Sequence, residues 1–229
     1  MSQIVSSGQI DSGSILNGPG ETLFVEDGGV VISATIESGA RESLEAGALG
    51  SASLIADGGV QWVFSGAVTR DDLISRGSAL IFAGGTEISA SILAGGLVTV
   101  AAGGVASGDV VDANGALTLS SGALASDCTV TSGGALYDNG TTVHDLILAD
   151  GFAIVSGIQS GATIASGGID VIMGNGSASG NIVEAGGVMV VVGGTATGTI
   201  NSGGSVVSTG VLLVAPDSGR YSSGIVSGG

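Results

Sequence analysis

Lysine is absent from this chain, and only four arginines stand against twenty acidic residues. The formal charge of −16 disfavours nucleic acid and anionic membrane surfaces as partners, and it aids solubility. Cysteine occurs once, at Cys128, which excludes an internal disulfide framework and a cysteine-rich metal site. Two prolines beside 45 glycines rule out collagen, which needs glycine at every third place. No apolar run approaches the length of a membrane span. The opening residues, MSQIVSSGQ, lack the basic flank and apolar core of a secretory signal. No stretch combines helical periodicity with caps.

What the chain has is punctuation. An aliphatic residue is followed three places later by glycine, as in Val63…Gly66, Ile81…Gly84, Val100…Gly103, Leu119…Gly122 and Tyr137…Gly140. Continued both ways, these glycines fall at 28, 47, 66, 84, 103, 122, 140, 157, 174, 193 and 210. A second series runs half a period out of phase: Ile36…Gly39, Ile55…Gly58, Ile74…Gly77, Ile92…Gly95, Val130…Gly133, Ile164…Gly167, Val183…Gly186 and Ile200…Gly203. Val111 has Asn114 at the glycine place, and asparagine also tolerates the left-handed conformation.

A fixed period just under twenty residues marks a solenoid, whose coils bury their apolar side only by stacking. Valine, isoleucine and threonine between Gly-Gly and Ser-Gly turns predict short strands. The expected fold is an all-β, right-handed, single-stranded parallel β-helix with about 18–19 residues per coil and roughly ten to twelve coils; the hand follows the general crossover preference. Residues 1–35, with shorter spacing and Pro19 between two glycines, are expected as an N-terminal cap and first irregular coil. Residues 36–210 carry the repeats. Residues 211–229 break step and read as an irregular last coil of a longer chain.

The units ATIESGARESLEAGALGSAS (34–53), ATIASGGIDVIMGNGSASGN (162–181) and NIVEAGGVMVVVGGTATGT (181–199) resemble a known repeat. It is that of the passenger regions of self-associating, AIDA-type autotransporter adhesins of Gram-negative bacteria, and the resemblance covers nearly the whole chain. It implies a β-helix displayed at the cell surface or secreted, acting in aggregation or adhesion. Similar repeats occur in other bacterial surface proteins. The signal peptide and C-terminal membrane barrel usual in that family are not visible here.

In such a helix a residue and its equivalent one period later lie on adjacent coils, and the strand neighbours of an inward residue point outward. On that reading Trp62, Phe64, Leu80 and Phe82 form one exposed apolar cluster, and Val155, Ile172, Met189 and Val191 form another. Three of the seven aromatics in the chain fall in the first. Either cluster could serve as a contact patch or lie under an adjoining segment.

Asp71, Asp72, Asp109, Asp127 and Asp145 stand two or three places before the inward residue of their coils. They read as a solvated acidic edge that discourages sideways pairing. The alternative is weak Ca²⁺ binding by these oxygens, which lack a compact ligand spacing. Asp57 and Arg76 share a turn position on adjacent coils and read as a surface ion pair. His144, in one column with Arg70, reads as an exposed histidine. Cys128, in one column with Ala34, Ala90 and Ala162, reads as a small core filler.

Reactive chemistry is scarce: Asp71 and Asp72 are adjacent carboxylates, but strand neighbours face opposite ways. The expectation is a non-catalytic surface module without cofactor, whose partner is itself or a surface glycan or protein. The alternative is a polysaccharide-binding or polysaccharide-processing β-helix, which would need a positioned acid and base.

Overall fold

Aliphatic strands of three or four residues cannot turn without breaking their pleat, and the glycines supply the break in two distinct ways. At Gly58-Gly59 the first residue adopts φ 87°, open to glycine at little cost. The second has no room: a Cβ on Gly59 would lie 1.9 Å from the carbonyl oxygen of Ile36 on the preceding coil. Asn114 takes φ 65°, as its place in the series predicts.

The computed structural model describes residues 2–112 and 114–208, which form a parallel β-solenoid of about 11 turns and about 19 residues per turn. No helix occurs among the described residues, so none is long and apolar enough to cross a membrane. Each coil gives one strand to each of three sheets, and every strand pairs in parallel with its equivalent on the next coil. Sheet A has twelve strands, from Ser2–Val5 to Ser205–Ser208. Sheet B has eleven, from Ile10–Ser12 to Thr195–Thr197. Sheet C has eleven, from Ile15–Leu16 to Ile200–Ser202. Residues 2–35 already contribute strands to all three sheets, with Ser2 beside Thr22 and Ile10 beside Val30. The stretch 211–229 lies outside the described residues.

Between sheets B and C every coil bends at a left-handed residue, and many of these are not glycine. Ser33, Ala52, Asp71, Ser89, Asp127 and His144 have φ between 55° and 60°. Along a parallel strand successive N–H groups point alternately to the coil before and the coil after. The bend keeps this alternation: Leu49 N donates back to Gly29 O, and Ala52 N donates forward to Arg70 O at 2.8 Å. That inter-coil bond offsets the cost of a Cβ in the left-handed region.

The core is a stack of aliphatic ladders. Ile36, Ile55, Ile74, Ile92, Val111 and Val130 stack in sheet C without exposed surface, as their spacing predicts. In sheet A, Leu44, Val63, Ile81, Val100 and Leu119 do the same.

The next coil departs from the expectation. Leu119 lies beside Asp138, not Tyr137. Sheet B resumes five places after Leu119, at Leu124, but only three places after Asp138, at Thr141. The step is equally short from Val155 to Ile158, one place longer from Val191 to Thr195 and back to full length from Ile172 to Ser177; in all four coils a glycine stands two places after the inward residue, at Asp138…Gly140, Val155…Gly157, Ile172…Gly174 and Val191…Gly193. A one-residue slip in a strand moves every side chain to the other face. Val155, Ile172, Met189 and Val191, expected outside, are therefore fully buried in the core.

Candidate functional site

The outer face of sheet A carries one long apolar column. From Phe24 it runs through Ser43, Trp62, Leu80, Thr99, Thr118, Tyr137, Ile154, Val171, Val190 and Val207. A second outward column beside it contains Phe152, Ile169 and Val188. Thr99, Thr118, Ala116 and Ala135 divide the face into two patches.

The N-terminal patch is aromatic. Phe64 and Phe82 stack with planes 3° apart and ring centres 4.6 Å apart. Trp62 meets both edge-on, at 6.1 Å from each. The Arg41 guanidinium carbon sits 4.1 Å from the centre of the Trp62 ring, a cation–π contact. Leu80 is the register partner of Trp62. All four apolar residues of this patch are half-buried, because the rings cover one another. The structure thus brings together Trp62, Phe64 and Phe82 as their columns predict.

The C-terminal patch consists of the residues that the slip turned outward. Tyr137, Ile169 and Val207 are exposed, while Phe152, Ile154, Val171, Val188 and Val190 are half-buried. It replaces the expected cluster of Val155, Ile172, Met189 and Val191, which the register of sheet A places inside.

The interior holds a feature that the sequence reading placed at the surface. Asp72, Asp109 and Asp145 form no solvated edge; they are buried at the corner before sheet C. Their column continues as Asn181, so an acid or amide occurs on alternate coils between the small residues Ser53, Ala90, Cys128 and Ala162. Each reaches back to a backbone N–H of the preceding coil. Ser53 N donates to Asp72 Oδ1 at 2.7 Å, Ala90 N to Asp109 at 2.9 Å, Cys128 N to Asp145 at 3.1 Å, and Ala162 N to Asn181 at 3.1 Å. The signal was present: these acids stand two places before the inward aliphatic, the position that also marks Cys128 as core. Asp71 and Asp127, one place earlier, are the exposed left-handed residues.

Further acids join them inside. Glu42, Glu87, Asp138 and Asp170 are buried on the inward faces of sheets A and B. Gln61 Nε2 donates to Asp72 Oδ2 at 2.7 Å, and the Thr69 hydroxyl donates to the same oxygen. Asn181 Nδ2 donates to Gln159 Oε1 and, at 3.5 Å, to Asp170 Oδ2.

Burial penalises the charged form, and it pushes Glu42 up to about 8 and Asp109, Asp145 and Asp170 up to about 7. Asp138 rises to about 6 for the same reason, held back by the Gly140 N–H. Asp72 and Glu87 rise too, first by burial; neighbouring acids add to this, with Asp109 foremost at Glu87. Burial also raises the Cys128 thiol, so it stays protonated and inert.

At the surface, Arg76 Nε donates to Asp57 Oδ1 at 2.6 Å, the pair that their shared turn position predicts. That bond holds the Asp57 carboxyl below its usual range. His144 is exposed and 3.8 Å from Asp127, its partner in the left-handed column; Arg70 lies one column away, beside Ile88. Among the described residues no group of three or more His, Cys, Asp and Glu side chains is arranged to hold a metal ion.

No protein-family model and no curated protein matches the sequence. Among solved structures, the chain is similar to the TibC-catalysed, hyper-glycosylated fragment 55–350 of TibA, with 23% identity, a TM-score of 0.68 and 94% of each chain covered. In fold the chain is a β-solenoid like that fragment, as the resemblance of its repeats to AIDA-type passenger regions implies.

Proposed function

We propose that this chain is a non-catalytic β-solenoid of the bacterial cell surface or its exterior, and that it works by lateral self-association through the outer face of sheet A. The observation that carries this reading is the two-patch apolar face on twelve aligned strands. At about 4.8 Å per strand the face is roughly 53 Å long, and at a four-residue width it offers on the order of 700 Å² per partner. A standard protein interface needs about 800 Å² per partner, so one face against another is of the right size. Aromatic anchors ringed by smaller side chains are the usual carriers of such binding energy.

The rest of the molecule fits a structural role better than an enzymatic one. General acid–base chemistry needs titratable groups within reach of substrate. Here the strongly shifted carboxyls are walled inside the core. The likeness to the TibA fragment supports a displayed solenoid.

Light scattering over a hundredfold range of concentration tests the proposal. Mass should climb from 21.6 kDa for the parent chain and fall back when Trp62→Ser and Phe64→Ser are combined. A constant mass in the parent would overturn self-association and point to a glycan stacked on the aromatic patch.

A further inference from the structure

Among the described residues no cation balances the interior acids. Of the arginines among the described residues, Arg41 lies on the outer face over Trp62, Arg76 is exposed with Asp57, and Arg70 is exposed. His144 is exposed as well. After burial itself, the acids act on one another: Asp72 and Asp11 raise Glu42, Asp109 and Asp72 raise Glu87, Asp138 and Asp127 raise Asp145, and Asp145 and Asp138 raise Asp170. Neutral donors reach one oxygen of Glu42, Asp109, Asp145 and Asp170 and leave the other without a partner. Both carboxyl oxygens of Glu87 lack a hydrogen-bond partner, as do Glu42 Oε2, Asp109 Oδ2, Asp145 Oδ2 and Asp170 Oδ1.

A buried carboxylate facing its own kind without a counter-ion is the costliest arrangement in a low dielectric, and a proton removes that cost. We propose that the interior carboxyl column is a proton-linked latch: the coils close by taking up protons, so the solenoid is tight in acid and loosens from within as the medium turns alkaline. Loosening begins around Glu87, where two unpartnered oxygens lie between Asp72 and Asp109 on adjoining coils.

The direction follows from linkage. Between the unfolded carboxyl pKa near 4 and the raised folded values of about 7 to 8, the folded chain binds more protons than the unfolded chain. The stabilisation is full below about pH 4 and is lost as pH rises through the folded values. Each latched proton lowers the folding constant about tenfold per pH unit in that window.

Urea unfolding of the chain from about pH 5 to about pH 8 tests the latch. The midpoint should fall steadily, and Glu87→Gln, a fixed mimic of the protonated acid, should flatten the fall by about tenfold in folding constant per pH unit. Thr99→Ser, on the outer face of sheet A, should leave the slope as it is. A flat or rising midpoint in the parent overturns the latch, and so does a Glu87→Gln variant with the parent slope. If that variant fails to fold, infrared spectroscopy of the parent decides. Protonated carboxyl bands present near pH 6 and gone near pH 9 support the proposal, and their absence near pH 6 overturns it.

Discussion

Asp138 lies directly beside Leu119 in sheet A and sends a carboxyl group into the place where Leu119 sends its isobutyl group. The carboxyl does local work there. Its Oδ1 accepts the Gly140 N–H at 2.8 Å and closes the turn that is two residues shorter than the one after Leu119.

That contact sets the first prediction. Asp138→Asn keeps the acceptor for Gly140 but cannot ionise. Asp138 is raised to about 6, so its ionisation weighs against the folded chain as pH rises from about 4 to about 6. The asparagine variant should gain on the parent by up to tenfold in folding constant per pH unit across that window, and hold the gain above it. Urea midpoints at several pH values measure the difference.

The two glycines of one turn should respond differently. Gly58→Ala meets only the left-handed penalty, because its nearest neighbour atom is 3.9 Å away; about 1 kcal/mol of stability should go. Gly59→Ala drives a methyl group into the backbone of Ile36, and neither side can yield. A loss above about 3 kcal/mol, or failure to fold, is expected from thermal unfolding.

Ala52 is the reverse case. It holds φ 55° without a side-chain hydrogen bond to help it. Ala52→Gly removes the Cβ clash while freeing the unfolded chain somewhat, and should raise stability by about 0.5–1 kcal/mol. A lower melting temperature would mean that the bend is held more firmly than its backbone angle suggests.

Neighbouring residues Met189 and Val190 separate core from surface. Met189 is fully buried, and Met189→Ser should cost about 2–4 kcal/mol. Val190 faces outward, half-buried, between Val171 and Val207. Val190→Ser should change stability by about 0.5 kcal/mol or less and weaken the concentration-dependent rise in mass. Equal loss of stability in both would contradict the strand register.

The period of the glycines was enough to specify stacked coils, parallel strands and the buried sheet C ladder, because a repeat that cannot cover its own apolar side has no other way to bury it. Local backbone demands were equally legible: Asn114 stands in for glycine because few residues tolerate φ 65°. The aromatic patch followed from simple column arithmetic, since the turns up to Leu119 keep nearly constant length. Past Asp138 that arithmetic failed. The spacing from Tyr137 to Gly140 looks the same whether the turn is long or short, and only the inter-coil hydrogen bonds choose the frame. The fate of the acids was likewise a tertiary decision. The spacing of Asp72, Asp109 and Asp145 matches that of the core residue Cys128 while their charge argues for solvent, and they went inside because each carboxyl found a corner N–H on the coil before it.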